Sequence, residues 1–236
     1  ELLNLKFEEY CTSSFIEKDP ISIPHSYSKL QDIEITAFWS AILSWGNRTT
    51  IINKCTELFE LMDNAPYDFV LNHSDDDLKK LMSFKHRTFN TTDTLYFIDF
   101  FKRYYSKHDS LETAFSNHIH SEDENVKNGL IQFYNHFFSF KDAPNRTKKH
   151  IASPDKNSAC KRINMFLRWM VRDNKQGVDF GLWRAIKTSQ LICPLDVHVD
   201  RVGRELGLID RKQSDWKAAE ELTRNLKKFD PNDPVK

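Results

Sequence analysis

The chain has 236 residues, and its 34 basic and 34 acidic side chains give a formal net charge of zero. A hydrophobic content of 39%, with 13% aromatic residues, is enough to form a buried core, which excludes an intrinsically disordered protein. Only six glycines and eight prolines interrupt segments with helical spacing. The composition therefore predicts an all-α fold.

The predicted helices follow one another along the whole chain. The first spans residues 32–46, with Asp32 as its N-cap and Gly46 as its stop signal. A second helix over 49–62 follows the turn 45–48, so these two helices should form a hairpin. Further helices are predicted near residues 75–83, 91–107, 109–119, 123–140, 158–172, 180–190, 196–207, 214–228 and, as the start of a last one, 230–236.

Charge is distributed unevenly along the sequence. Residues 1–140 contain 13 basic and 21 acidic side chains, whereas residues 141–187 contain 12 basic and 4 acidic ones. A nucleic-acid-binding surface would therefore lie in the middle of the chain, although a solvated charged face gives the same pattern. The stretch 141–157 is the expected boundary between a helical lobe over 1–150 and another over 151–236, the two forming one compact bundle.

Cysteine usage and hydropathy bear on location and on metal binding. The four cysteines are far apart, and none is paired with another Cys or with a His at zinc spacing. The first residues lack the features of a signal peptide, and no apolar run is long enough to cross a bilayer. We therefore expect a cytoplasmic protein with no cofactor, no metal and no membrane partner. A weaker alternative is a metal hydrolase, since His118-x-His120 and His73–Asp77 have ligand-like composition.

An amine and a carboxylate have the chemistry needed to attack a glycosidic bond. The helix over 158–172 should present Lys161, Asn164, Arg168 and Arg172 on one polar face, which is typical of phosphate-binding surfaces and equally of solvated helices. Asp196 precedes an amphipathic helix, so its carboxylate should cap that helix and stay ionised. A carboxylate held in this way could also stabilise positive charge on a sugar or accept a proton from an attacking amine.

These residues belong to motifs that resemble a known family. The run Ser158-Ala159-Cys160-Lys161, with Asn164 on the same helix, is followed by Leu195-Asp196-Val197-His198 before a later helix. The pair resembles the catalytic half of the helix-hairpin-helix (HhH-GPD) DNA glycosylases, the superfamily of endonuclease III and archaeal 8-oxoguanine DNA glycosylase. The segment from Ala37 to Thr50 is similar to the one that opens the helical domain of that superfamily.

A second resemblance extends over essentially the whole chain. The runs 157–172, 179–183 and 230–236 resemble an uncharacterised bacterial family of conserved hypothetical proteins. This second resemblance implies no activity.

The glycosylase resemblance implies a two-lobed helical bundle that excises a damaged base from DNA and cleaves at abasic sites, near the bacterial nucleoid. It implies that Lys161 is the Schiff-base amine and Asp196 its acidic partner. Large aromatic residues are more often core, but some would stack on the extruded base. The base-pocket candidates are Trp45, Trp169, Trp183 and His198, and the phosphate-contact candidates are Lys148, Lys149, Asn157, Ser158, Arg168, Arg172 and Arg201.

The chain departs from the superfamily pattern before the lysine. The usual Gly-x-Gly hairpin, whose bare amides approach a phosphate, is replaced by a glycine-free stretch from Ser153 to Ser158. The sequence also lacks a cysteine quartet for an iron–sulfur cluster. Two alternatives therefore stay open: a helical protein that binds nucleic acid without turnover, and a helical protein–protein interaction domain.

Overall fold

The computed structural model describes residues 2–173 and 175–236. In these residues the chain is all-α, as predicted, with isolated bridges and no strand. None of the helices there combines the length and the apolar composition that a bilayer-spanning helix requires. The helices are α1 Leu2–Tyr10, α2 Ser13–Ile16, α3 Ser22–His25, α4 Leu30–Leu43, α5 Arg48–Glu60, α6 Pro66–Asn72, α7 Asp75–Lys80, α8 Thr91–Tyr105, α9 Glu112–Ser116, α10 Lys127–Phe137, α11 Lys161–Val171, α12 Val197–Glu205 and α13 Trp216–Lys227.

The helices group into two compact units, each built from separate stretches of sequence. Unit 1 contains the described residues up to Ser13, together with Ala114–Asn135 and Ala152–Lys236. Unit 2 contains Ser14–Thr113 and His136–Ile151. Helical spacing reports local structure, whereas this grouping depends on long-range packing. A division into two contiguous lobes therefore does not describe either unit.

Helix α4 is the central element of unit 2. Every residue from Ile33 to Leu43 is buried, which confirms the predicted buried helix. The helix begins at Leu30, two residues before the predicted N-cap. Asp32 is therefore inside the helix and not its cap, and its Oδ1 accepts the backbone N–H of Tyr67 at 2.8 Å, which anchors the start of α6.

The predicted hairpin of α4 and α5 is confirmed. Helix α4 ends three residues before Gly46, which lies in the connecting turn with a φ of +109°. Asn47 then caps α5 by accepting the backbone N–H of Thr50 at 3.1 Å. The glycine supplies the left-handed backbone that the turn requires.

Aromatic rings fill the core of unit 2. The ring of Phe38 lies 5.9 Å from that of Phe97 and 5.5 Å from that of Phe101, and Phe97 lies 5.0 Å from Phe137. All four side chains are fully buried. Such pairs contribute roughly 0.5–1.5 kcal/mol each beyond the apolar area that they bury.

A buried carboxylate crosses this core. Glu34 on α4 is fully buried and accepts the Tyr105 hydroxyl and the Leu111 N–H, both at 2.9 Å, and also the hydroxyl of Ser110. Burial and the Glu34 charge raise the pKa of Tyr105 well above its ordinary value. These hydrogen bonds offset the desolvation of the carboxylate and tie α4 to α8 and to the segment before α9.

Unit 1 has an aromatic core of its own. Phe115 and Phe133 stack with ring centroids 4.0 Å apart. Trp183 packs against Phe166 of α11 at 5.2 Å and against Phe115 at 5.5 Å. Trp183 is therefore a core residue.

The helix predicted over 180–190 is absent. Gly181 has a φ of +58°, and the N–H groups of Phe180 and Trp183 bond to carbonyl oxygens near the end of α11. Because the backbone is used to hold this loop against α11, only a short 3-10 turn forms at Thr188–Gln190. The C-terminal segment predicted to start a helix likewise contains turns instead.

We predict that Gly129→Ala destabilises the protein although alanine favours helix. A Cβ at this position in α10 would lie 2.5 Å from Ile119 Cδ1 and 2.7 Å from the Phe115 carbonyl oxygen. Overpacking should exceed the gain of about 1 kcal/mol in helix propensity and lower the free energy of unfolding by about 1 kcal/mol. Urea denaturation measures this, with the exposed neighbour Asn128→Ala as control. Equal or greater stability of Gly129→Ala would contradict the packing described.

Candidate functional site

Lys161 is the first residue of α11 and is partly buried. Its Nζ lies 3.2 Å from the thioether sulfur of Met165, one turn further along the helix. The helix N-terminus carries a positive partial charge, so this is an unfavourable position for a second cation. A helix N-terminus disfavours the protonated form of an amine placed there, and a lowered pKa is one way in which a lysine becomes a nucleophile.

The hairpin before Lys161 forms its turns without glycine. Asn157 and Cys160 both have φ of +53°, in the left-handed region that glycine usually occupies. Asn157 is exposed, and the hydroxyl oxygen of Ser158 accepts the N–H of Cys160 at 3.2 Å. The predicted phosphate-binding pair of Asn157 and Ser158 therefore lies in the turn that leads directly into α11.

Asp196 caps α12, as the sequence predicts. Its Oδ1 accepts the backbone N–H groups of His198 and Val199, both at 2.9 Å. The amides and the positive helix end both favour the ionised carboxylate. His198 and Arg201, which are both exposed, lie within the first turns of the helix that Asp196 opens.

Asp196 and Arg168 both act on the thiol of Cys193. Burial raises the pKa of Cys193 to about 11, and the Asp196 charge adds to this effect while the Arg168 charge opposes it. Arg168 in the C-terminal half of α11 and Asp196 at the start of α12 thus both affect the same thiol.

The two arginines of the polar face predicted for α11 form ion pairs with acidic residues of the same unit. Arg172 is 2% exposed, and its guanidinium pairs with Asp179 and Asp233, at 2.8 Å in each case. Arg168 Nε lies 3.4 Å from the same carboxylate of Asp179. The assignment of Arg172 to a phosphate contact is therefore corrected, because its charge is buried and compensated, and Arg168 is partly committed to the same acid.

Two of the three tryptophans predicted to stack on a base are buried. Trp169 is 4% exposed and Trp183 is 1% exposed, so neither presents a ring face at the surface of its unit. Burial of their large apolar area in the core explains both positions. These two assignments are corrected, and Trp45, which is partly exposed, is the predicted stacking residue that reaches the surface.

Trp45 lies in unit 2, in the turn between α4 and α5. Its ring centroid is 4.8 Å from that of His86, edge to face, and 5.8 Å from that of His150, nearly parallel. His150 directly follows Lys148 and Lys149. The structure thus brings Trp45 to the segment that carries two predicted phosphate-binding lysines, more than 100 residues later in the sequence.

A buried carboxylate fixes this arrangement, and the sequence reasoning did not identify it. Asp93 on α8 is fully buried; its Oδ1 accepts the Thr147 hydroxyl at 2.7 Å, and its Oδ2 lies 3.2 Å from His150 Nε2 and also contacts the guanidinium of Arg146. Burial opposes ionisation, but the hydrogen bonds from His150 and Thr147 and the backbone N–H of Asn90 prevail and lower the pKa of Asp93 to about 2. The segment that carries Lys148 and Lys149 is therefore held by a buried ion.

A sequence signal for this anchor does exist. Asn90 and Asp93 form a capping box at the start of α8, a pattern that can be read as residue types three positions apart. The pattern predicts only the local hydrogen bonds. It does not show that the Asp93 carboxylate is also used by a segment more than 50 residues away.

The acidic run considered for metal binding serves α7 instead. Ser74 and Asp77 form a capping box, and Asp76 and Asp77 pair with Lys79 and Lys80. Among residues 2–173 and 175–236, no three His, Cys, Asp or Glu side chains are placed to hold a metal ion together.

We predict that Asp93→Asn lowers the free energy of unfolding by about 3 kcal/mol at pH 7, because a compensated buried charge is removed. The folded pKa of Asp93, about 2, is below the unfolded value of about 3.9, so the wild-type advantage is present above pH 4 and declines as the pH falls towards 2. Denaturant unfolding at several pH values measures this. Asp76→Asn, at an exposed ion pair, is the control and should change stability by less than about 1 kcal/mol. A difference between wild type and Asp93→Asn that does not depend on pH would contradict the lowered pKa.

We also predict that the cap of α12 tolerates asparagine but not alanine. Asn accepts the same backbone N–H groups as Asp, so Asp196→Asn should stay within about 0.5 kcal/mol of wild type, whereas Asp196→Ala should lose about 1 kcal/mol. Thermal and urea unfolding measure both changes. If the two variants were equally destabilised, the capping role described for this side chain would be wrong.

Comparison with known proteins identifies a family. No curated protein and no solved structure matches the chain. A family model described as "Protein of unknown function (DUF2400)" matches residues 19–236, nearly the whole sequence, which confirms the resemblance to an uncharacterised family. The chain therefore belongs to the DUF2400 family.

Proposed function

We propose that this chain is a DNA base-excision glycosylase with associated lyase activity. Lys161 is the nucleophile and Asp196 its acidic partner, on damaged duplex DNA or an abasic site. The observation that carries the proposal is that these two residues each open a helix of the same compact unit, in motifs that resemble the HhH-GPD glycosylases. The same proposal places the protein in the cytoplasm beside the nucleoid.

The chemistry begins with the amine. The neutral Lys161 Nζ attacks the anomeric carbon of the nucleotide as the bond to the base breaks, and the base leaves with the bonding electron pair and takes up a proton. Loss of the amine proton and opening of the sugar ring then give an imine between Lys161 and the sugar carbon. The position of Lys161 at a helix N-terminus, against the thioether of Met165, supports this role.

The carboxylate acts on the charge that develops during this step. Two backbone N–H groups hold Asp196 Oδ1, so the carboxylate keeps its negative charge and a fixed orientation. A fixed anion stabilises the oxocarbenium-like sugar and can accept the proton that the amine loses.

A second candidate function is nucleic-acid binding without turnover. The observation that favours it is the exposure of Lys149 and the partial exposure of Lys148 beside Trp45, in contrast to the internally paired Arg172. This candidate predicts DNA affinity that depends on salt and does not change in Lys161→Ala or Asp196→Asn.

The first test is borohydride trapping on duplexes that carry an abasic site or an oxidised base. The wild-type chain should form a covalent adduct, because borohydride reduces the imine to a stable amine, and Lys161→Ala should form none. The matched control is Lys175→Ala, an exposed lysine of the same unit, which should trap as wild type does. An adduct that persists in Lys161→Ala would remove this residue from the mechanism.

The second test separates the charge of Asp196 from its capping role. Asp196→Asn keeps the cap and removes the charge, so base release should fall by roughly 100-fold with little change in stability. Asp215→Asn is the matched control, because Asp215 caps α13 in the same way and pairs with Arg211. That variant should lose some stability but keep its rate of base release. Equal rates for wild type and Asp196→Asn would contradict the proposed role.

A further inference from the structure

Three segments of unit 2 form a basic surface around Trp45, which we call the Trp45 surface. They are residues 44–48, 84–90 and 145–150. The contacts of Trp45 with His86 and His150 bring the three segments together. They contain six of the fifteen Lys and Arg residues of unit 2 and none of its sixteen Asp and Glu residues. The rest of unit 2, with nine basic and sixteen acidic residues, therefore has a net negative charge, whereas this surface has a net positive one.

Four of these cations have no carboxylate partner within the described residues. Lys85, Arg87 and Lys149 are exposed and Lys148 is partly exposed, and none of them makes an ion pair or a side-chain hydrogen bond in that part of the chain. Arg146, in contrast, is held by Asp93 and by neighbouring backbone and amide oxygens. Arg48, the sixth cation, lies 3.9 Å from Asp19. The surface thus has two arginines that pair with carboxylates and four cations whose charge is directed to solvent.

The backbone of the turn lets one of these cations approach closely. Gly46 has a φ of +109°, and a Cβ at this position would lie 2.7 Å from Arg87 Nη1. The guanidinium of Arg87 therefore packs directly against the turn that carries Trp45. Burial lowers the pKa of His86, and the Arg87 charge adds to this effect. The imidazole beside Trp45 is therefore neutral, and the positive charge at this point of the surface is that of Arg87.

We propose that the Trp45 surface binds an unpaired DNA strand. Trp45 stacks on a base, and Lys85, Arg87, Lys148 and Lys149 contact the phosphates. A partly exposed indole, fixed by two imidazoles and bordered by cations, matches a ligand that alternates flat rings with negative charges. A base in an intact duplex is already stacked on both faces, so the surface favours a strand or a locally opened site.

This inference goes beyond the proposed excision chemistry. The Trp45 surface belongs to unit 2, whereas Lys161 and Asp196 belong to unit 1. Strand binding by this surface therefore requires neither the amine nor the carboxylate.

The test is a fluorescence anisotropy titration of the full chain. The ligands are a labelled single strand of about 16 nucleotides and the corresponding duplex, at several salt concentrations between about 50 and 200 mM. The strand should bind more tightly than the duplex. Lys148→Ala/Lys149→Ala should reduce the slope of log affinity against log salt by about 1.4, since each phosphate contact on a single strand contributes about 0.7.

The matched control for the lysines is Lys79→Ala/Lys80→Ala. These two lysines are also adjacent and in unit 2, but they pair with Asp76 and Asp77. The control variant should keep the wild-type slope. An equal loss of slope in both double variants, or equal affinity for strand and duplex, would overturn the proposal.

The tryptophan is tested separately. Trp45→Ala should weaken strand binding by about tenfold, and Trp45→Phe should retain most of the affinity because a flat ring remains. Heparin, a polyanion without bases, is the control ligand, and its affinity should be unchanged in Trp45→Ala. An equal loss of heparin and strand affinity would mean that the ring does not stack on a base, and the proposal would fail.

Lys161→Ala separates this proposal from the excision chemistry. It should bind the strand as wild type does. Strand binding without any borohydride adduct would leave the Trp45 surface supported and the excision chemistry rejected. Adduct formation by a chain with no affinity for single strands would support the excision chemistry and reject strand binding by the Trp45 surface.

Discussion

The first N–H groups of every α-helix lack an intrahelical partner, and in an all-helical chain this constraint recurs at each helix start. Short polar side chains satisfy it at four of these starts: Asn47 at α5, Asn90 at α8, Asp196 at α12 and Asp215 at α13. The same hydrogen bonds that start a helix also fix the direction of a carboxylate. The cap that α12 requires therefore also orients the negative charge of Asp196, and no further residue is needed to hold this carboxylate in place.

Ion pairing with buried carboxylates determines which cations remain available to bind a ligand. Burial of Arg172 is tolerated because Asp179 and Asp233 compensate it, and that compensation removes the guanidinium from any contact with phosphate. Asp93 has the opposite consequence in unit 2. It holds the segment 145–150 through Thr147, Arg146 and His150, and so leaves the lysines of that segment directed to solvent. A basic composition alone does not distinguish these two outcomes.

Sequence periodicity predicted the features that depend on neighbouring residues. The α4–α5 hairpin, α11, and the cap of α12 by Asp196 all depend on residues within a turn or two, and all were predicted. The helix expected over 180–190 failed because Gly181 and the amides of Phe180 and Trp183 bind the end of α11, which no local pattern records. Long-range packing buries Trp169 and Trp183, and it also places Trp45 against His86 and His150. Residue type alone therefore could not show which of the three tryptophans reaches the surface.

The proposed chemistry depends on a covalent bond between the ε-amine of Lys161 and the sugar of a nucleotide. The most direct measurement is tandem mass spectrometry of the proteolysed, borohydride-reduced complex with abasic DNA, which locates the added sugar mass on the chain. We expect this mass on the peptide that contains Lys161, at the ε-nitrogen. Modification confined to another amine, such as Lys156 or Lys187, would contradict it.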